Sequence, residues 1–248
     1  MNVSLFQAAA ALDANSRWQE VIAENLASSS VPGYKQQQLS QEAMQAGLMS
    51  ANGPRNSSQF FSVPKTNTST NFMQGEMKFT GNGTDVAIEG NGFFEVQLPT
   101  GQHALTRDGE FRINSQGQLV TKESYPVLGT AGPIQLNRDH SGPLSITSAG
   151  IVNQGSERRG KLKVTEVAKL QELTQLSGGY YMAVPGKAAT TESKANLREG
   201  YLEASNASTL SEMASMMTAS RGFEANQKVI QIQDDRMNRT ITELGNPT

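Results

Sequence analysis

The chain has 248 residues, of which 36% are hydrophobic and 18% charged, with a formal net charge of −2. This length suffices for one large domain or two modest ones. A net charge near zero argues against a nucleic-acid-binding protein, which usually carries a basic excess to neutralise phosphates. The absence of cysteine excludes disulfide frameworks, thiolate metal sites and cysteine nucleophiles.

The start of the chain and its apolar runs bear on location. Residues 1–5 lack the basic segment that opens a cleavable signal peptide. No apolar run approaches the ~18–20 residues that span a bilayer. We therefore predict no membrane insertion, and any location outside the cytoplasm requires an export route other than a standard cleaved signal.

A helix is predicted over residues 2–29, which contain neither Gly nor Pro. Residues on one side of it follow the alternating steps of three and four that are typical of a coiled-coil seam. They are Leu5, Ala8, Leu12, Asn15, Gln19, Ile22 and Leu26. The helix should end near Ser30, because Pro32 restricts the preceding residue and Gly33 favours a turn.

Residues 36–71 are rich in Gln, Ser, Asn and Thr. Little in this stretch could bury a core, so we predict an extended or partly ordered polar connection. An ordinary irregular loop is the alternative and differs only in degree.

Turn signals then separate short candidate strands. They are Asn91-Gly92, Pro99-Thr100-Gly101, Asp108-Gly109 and Gln116-Gly117. Asn-Gly and Asp-Gly favour hairpins, because both tolerate positive φ. Phe94, Val96 and Leu98 alternate with polar residues, as in a half-buried strand. With further strands predicted at residues 144–146, 161–167 and 180–184, the middle of the chain is predicted to be an antiparallel β domain.

A second, longer helix is predicted after Thr209, which has capping-box spacing to Glu212. One row of apolar residues recurs every seven positions: Met216, Phe223, Ile230, Met237 and Leu244. The second row of the seam is mixed and holds Met213, Ser220, Gln227, Asp234 and Ile241. The helix would be roughly 50 Å long and should end at Gly245 and Pro247.

Together these elements predict an α+β protein. Residues 1–35 and 206–248 would form a coiled-coil-like domain of two terminal helices, residues 36–72 a polar linker and residues 73–205 a β-rich domain. A helix with a narrow apolar seam needs partners, because only packing offsets its nucleation cost. The polar residues in the seam either fix register and partner choice or lie just off the true seam.

Five segments resemble the bacterial flagellar rod and hook proteins. The stretch Asn25-Leu26-Ala27 followed by Pro32-Gly33-Tyr34-Lys35 resembles their N-terminal signature. The stretch Asp85-Val86-Ala87-Ile88 with Gly90-Asn91-Gly92-Phe93-Phe94 resembles the opening of their β domain, and Thr106-Arg107-Asp108-Gly109 resembles its next hairpin. The C-terminal signature is matched by Tyr201-Leu202-Glu203-Ala204-Ser205-Asn206 and Arg221-Gly222-Phe223-Glu224-Ala225-Asn226-Gln227-Lys228. The matches lie in order and miss mainly the linker and residues 135–200.

The resemblance implies a structural subunit of the flagellar basal body whose terminal helices form the inner wall of a helical tube. The β domain would lie outside, and the linker would brace neighbouring subunits. Implied partners are other rod subunits, both copies of this chain and homologous axial proteins, and the type III export apparatus that exports such proteins unfolded and uncleaved. The rod crosses the periplasm and transmits torque, so no cofactor is expected.

Within the family, the length and the stretch Gly129-Thr130-Ala131-Gly132-Pro133-Ile134 look most like proximal rod proteins. Lys228-Val229-Ile230 followed by Asp234-Asp235 favours the same type. Distal rod or hook-like axial proteins are the close alternative. Ser28-Ser29-Ser30 and Ala207 depart from the usual pattern and bear on the type, not on the family.

Two other classes compete with a structural subunit. An enzyme is disfavoured, because His103 and His140 are the only histidines and no nucleophile-elbow, zinc-protease or P-loop motif occurs. We therefore predict neither a catalytic nor a metal site, and interpret His103 as an exposed strand residue. A β-rich adhesin or lectin remains the alternative, although the sequence shows no cluster of exposed aromatic residues to support it.

Overall fold

The computed structural model describes residues 3–48, 60–137, 142–183 and 189–245, without the side chains of residues 3–6, 41–48, 60–65, 177 and 243–245. The chain divides into two compact units. The first combines Met1–Leu26, Gln37–Ser69 and Thr209–Thr248, and the second combines Ala27–Gln36 with Thr70–Ser208. The short segment after the first helix, which the sequence places with the helices, therefore belongs to the second unit.

Two helices dominate the first unit. Helix α1 spans Val3–Ala27 and helix α2 spans Thr209–Gly245. Helix α2 begins at the predicted cap and ends at the predicted glycine. Glu212, in its first turn, is buried. The predicted helical ends are therefore confirmed as helices, whereas supercoiling of the two is not established.

Small side chains fill the buried positions of both helices. Ala8, Ala14 and Ala219 are buried, and Ile22 is the largest buried aliphatic side chain of α1 among those described. A Cβ atom at Gly222 of α2 would lie 3.2 Å from Nδ2 of Asn15 on α1. The helices therefore approach closely at this polar residue of the predicted seam.

The segment predicted to be an extended or partly ordered polar connection contains two long strands. β1 spans Gln37–Leu48 and β2 spans Phe60–Thr70, and the two pair in a two-stranded sheet. Strand pairing satisfies backbone N–H and C=O groups whatever the side chains are, and Thr66, Thr68 and Thr70 have the β-branched shape that favours strands. The backbone is extended here, and its polar composition did not show that the two strands pair.

The second unit is built from short strands. In chain order they are β3 Met77–Phe79, β4 Val86–Glu89, β5 Phe93–Gln97, β6 His103–Thr106, β7 Arg112–Ile113, β8 Leu119–Val120, β9 Leu128–Gly129, β10 Gly132–Pro133, β11 Leu144–Ile146, β12 Ile151–Gln154, β13 Glu157–Lys161, β14 Val164–Val167, β15 Leu173–Gln175, β16 Tyr180–Ala183, β17 Thr190–Glu192, β18 Asn196–Glu199 and β19 Tyr201–Glu203. Single 3₁₀ turns lie at Leu170–Glu172 and Ser177–Gly179.

These strands pair antiparallel. The largest sheet has the order β15-β16-β6-β5-β14-β17, β11, β12 and β13 form a three-stranded sheet, and the pairs β18-β4 and β19-β3 bring the two ends of the unit together. The central antiparallel β domain predicted from the sequence is therefore confirmed.

Both faces of β5 are buried. Phe94 and Val96 belong to the main core, as their alternation predicts, and Phe93 packs on the other face with Leu105 and Tyr181 in a second cluster. Strand β5 is therefore covered on both faces. This includes the face that the alternation predicts to be polar and exposed.

Candidate assembly surface

The predicted seam residues of α1 and α2 differ in burial. Ile22 is buried, and the half-buried ones are Leu12, Leu26, Met216, Phe223 and Ile230. Met237 is exposed. The side chains of Leu5 and Leu244 lie outside the described residues. Among the described residues of this set, coverage is therefore least at Met237, toward the end of α2.

Helix α2 exposes large apolar side chains along most of its length. They are Leu210, Met213, Met217, Val229, Ile232, Met237 and Ile241. Scattered apolar residues are ordinary on a protein surface, but seven large ones on one helix are typical of a helix that makes contacts. At 3.6 residues per turn they point to several sides of α2. We call them together the α2 apolar surface, and it is the candidate site for assembly.

Asn25 joins the last turns of α1 to the strand that follows. Its Nδ2 donates to the carbonyl of Gln37 and its Oδ1 accepts from the Gln37 backbone N–H, both at 2.8 Å. The amide thus imitates a neighbouring strand and fixes where β1 begins. Any other side chain of this size leaves at least one of the two backbone groups without this partner.

The remaining signature residues meet in the second unit. Gly33 has φ +68°, donates from its N–H to the Glu203 carbonyl at 2.7 Å, and lies against the backbone of Arg107. Tyr34 is buried, and Pro32 is half-buried. The Pro-Gly-Tyr stretch therefore joins the β unit through a glycine that no other residue can replace without a clash.

Glu203 is at the centre of a buried ion cluster. Its carboxylate accepts from Lys35 Nζ at 2.5 Å, from Arg107 Nη1 at 3.1 Å and from the Gly75 N–H at 2.9 Å. Lys35 also donates to the Met73 carbonyl at 2.7 Å. Burial lowers the pKa of the Lys35 ammonium, and the Glu203 carboxylate opposes that effect.

Asn206 ties together three segments of the same unit. Its Oδ1 accepts from the Gln36 N–H at 2.7 Å, and its Nδ2 donates to the carbonyls of Asn71 at 2.8 Å and Met73 at 3.0 Å. Glu224, by contrast, is exposed on α2. The N- and C-terminal signatures are thus structural: Asn206, Gly33 and Tyr34 hold the start and end of the β unit together.

Sequence reasoning did not single out Lys35, Arg107 or Glu203 as site residues. Each lies inside one of the segments that resemble the flagellar family. The only indication that the sequence offered was a charged residue at a fixed place in such a segment. Charged residues are rarely buried without a partner. Their pairing depends on segments far apart in the chain, which no local pattern shows.

His103 belongs to an ion cluster on the sheet rather than to a metal site. Its Nδ1 lies 2.5 Å from Oε1 of Glu95, whose Oε2 lies 2.8 Å from Lys163 Nζ. Burial opposes ionisation of Glu95, but the hydrogen bonds and charges of Lys163 and His103 hold its pKa below its usual value. His140 lies outside the described residues.

Two further searches of the described residues bear on other kinds of site. No group of three or more His, Asp or Glu side chains there is arranged to hold a metal ion. None of the helices there is long and apolar enough to cross a membrane.

Two family models match the chain. The flagellar hook protein FlgE/F/G D1 domain matches residues 87–154, which hold strands β5 to β12, and the C-terminal model of the flagellar basal body rod FlgEFG proteins matches residues 198–243. The second match covers most of α2 and the α2 apolar surface. These matches define the class: an axial protein of the bacterial flagellum.

Full-length relatives give the same result. The chain is 30% identical to the basal-body rod protein FlgF of Caulobacter vibrioides over 91% of both chains. It is 31% identical to FlgG of Buchnera aphidicola over 95% of this chain and 97% of the relative, and 34% identical to FlgG of Borreliella burgdorferi over 67% and 66%. The chain therefore belongs to the flagellar basal-body rod protein family.

This membership makes the chain a structural component of the rod in the flagellar basal body, and hence a motility protein. It favours the structural interpretation over a β-rich adhesin or lectin. Relatives named FlgF and FlgG match at similar identity, so the comparison does not distinguish a proximal from a distal rod protein.

Proposed function

We propose that this chain is a non-enzymatic rod subunit of the proximal type, whose terminal helices join those of neighbouring subunits in a coiled-coil-like inner wall. The observation that carries the proposal is the α2 apolar surface on a helix of 37 residues. Each apolar side chain that a neighbour covers contributes roughly 1.5–3 kcal/mol when fully buried. Assembly therefore stabilises a helix whose own partner covers only part of it.

The partners proposed are copies of this chain and homologous axial subunits, with the type III apparatus as export route. A tube of this kind transmits torque because its subunits contact neighbours on several sides. The proximal type is supported by the chain length and by the stretch from Gly129 to Ile134; distal rod proteins are the alternative.

A substitution in the seam tests the proposal. Phe223→Asp places a carboxylate among half-buried helix residues, where an unpaired charge is costly. We expect cells that produce only this variant to lack it in isolated basal bodies and to lose motility, while the purified variant keeps the thermal unfolding transition of its β unit.

The matched control is Gln231→Asp, an exposed position of the same helix outside both the seam and the α2 apolar surface. It should be incorporated normally. If the β unit of the Phe223→Asp variant unfolds along with the helix, α2 is part of a closed monomer core and the proposal is wrong.

A further inference from the structure

Helix α1 is too short to cover α2. The two helices meet at Asn15 and Gly222, and α1 extends twelve residues to either side of Asn15, about 18 Å each way. Twelve residues beyond Gly222 is Asp234, so the end of α2 extends past α1 whichever way the helices run. All described side chains from residue 234 to 242 are exposed.

The uncovered end continues the face that packs on α1. Eighteen residues are five turns of an α-helix, so Met237 lies in line with the buried Ala219, and Ile241 lies in line with Phe223. Met237 is nevertheless 44% exposed and Ile241 67% exposed. We call these two residues the overhang patch, because they extend a packing face beyond the partner helix.

A second apolar patch lies at the other end of α2. Leu210, Met213 and Met217 are 81%, 52% and 59% exposed. Their spacing of three and four places them on one face, about 150° around the helix from the side of Ala219. We call them the outer patch. Met217 lies 24 residues from Ile241, about 36 Å along the axis.

We propose that the overhang patch of one subunit packs on the outer patch of a second copy of this chain. This inference rests on the proposed function and names the contact through which the helices join. The two patches differ in place and face, so their contact is head-to-tail, and such a contact builds a ring or an open helical array rather than a two-fold dimer. Charges of both signs flank the overhang patch in the sequence, with Asp234, Asp235 and Glu243 against Arg236 and Arg239, so a second copy does not meet a block of like charge.

The patches are small, which fits a contact that is stable only when many subunits repeat it. A stable dimer buries roughly 800 Å² per partner, more than the two or three side chains of either patch supply. The purified chain should therefore remain monomeric in dilute solution, and the contact should persist only where neighbours hold each subunit at several points.

Disulfide cross-linking tests the pairing, since the native chain has no cysteine. The double variant Met217→Cys, Ile241→Cys is produced as the only copy in cells, and isolated basal bodies are oxidised and analysed under non-reducing conditions. We expect covalent dimers, because the two Cα atoms of a disulfide lie within ~7 Å, whereas 36 Å along one helix forbids a bond within one chain. The control is Met217→Cys with Ile232→Cys, which should give none.

The outcomes separate this inference from the proposed function. Absence of the native chain from basal bodies refutes both. Incorporation of the double variant without dimers, equal dimers in the control, or cross-links only to a different axial protein each overturn the pairing and leave the rod assignment intact. Incorporation of an Ile241→Asp variant into basal bodies at the level of the native chain also overturns the pairing and leaves the rod assignment intact.

Discussion

At the scale of single residues, Gly33 shows how a signature residue can be fixed by geometry. Its φ is +68°, and a Cβ there would lie 2.3 Å from the carbonyl carbon of Arg107. We expect Gly33→Ala to lower the free energy of unfolding of the β unit by more than ~4 kcal/mol, measured by urea denaturation. Gly101 has a similar φ but nothing within 4 Å, so Gly101→Ala should cost only roughly 1–2 kcal/mol. Equal losses would mean that contact with Arg107 is unimportant.

Substitution of Glu203 should lower the free energy of unfolding more than substitution of a carboxylate at the surface. Glu203→Gln leaves Lys35 and Arg107 buried without their carboxylate, and breaking a buried ion pair in this way typically costs ~3–5 kcal/mol. Glu89, which pairs with Arg198 at the surface, is the control: Glu89→Gln should cost less than ~1 kcal/mol. Comparable urea midpoints for the two variants would contradict the central role of Glu203.

Asp108 should make stability depend on pH. Burial raises its pKa to about 7, so the folded state keeps a proton that the unfolded chain releases near ~pH 4. Its contribution to stability is fully present below that pH and is lost as the pH rises through about 7. We expect the free energy of unfolding of the native chain to fall by a few kcal/mol relative to Asp108→Asn between about pH 4 and 8. Parallel pH profiles would contradict this.

At the scale of elements, the contact of α1 with α2 depends on the small residue opposite Asn15. We expect Gly222→Leu to separate the helices and cost roughly 1–3 kcal/mol through overpacking, seen as earlier loss of helical signal in a thermal melt. Gly222→Ala should be close to neutral, because a gain of ~1 kcal/mol in helix propensity offsets the tight contact. The control Arg221→Leu, on an exposed neighbour, should leave the melt unchanged.

Local sequence patterns predicted which residues form helices and strands better than they predicted which strands pair with each other. Both helices, and strands such as β11, were predictable because periodicity and caps are properties of neighbouring residues. The turn at Pro99-Thr100-Gly101 does join the paired strands β5 and β6. Asn91-Gly92 instead connects β4 to β5, although β4 pairs with β18. Gly109 lacks positive φ, and a Cβ there would lie 1.7 Å from the Val86 carbonyl oxygen, so its role is close approach.

The same limit explains what the sequence showed of the candidate site. The heptad rows predict a packing face on α2, because a seam is a repeating local pattern. They did not show that Met237 and Ile241 lie beyond α1, since coverage depends on where the two helices cross. Nor did they show that Lys35 and Glu203, 168 positions apart, form one buried cluster.

At the scale of the whole molecule, the division into two units predicts how the purified chain is cut by a protease. A partly covered α2 opens easily, so α1 and α2 should be lost early, whereas a fragment from about residue 72 to 203 should resist. The structure adds Ala27–Gln36 to the same unit, held there by Gly33, Lys35 and hydrogen bonds of Asn206.

We therefore expect limited proteolysis to leave two pieces that stay together: a fragment near residues 70–208 and a short peptide containing residues 27–36. Native mass spectrometry should detect them as one complex, and Glu203→Gln should release the peptide because Lys35 loses its partner. Glu89→Gln should not. If the terminal helices of the isolated monomer resist the protease as well as the β unit does, both ends are already packed without neighbours, and the rod contacts must lie elsewhere.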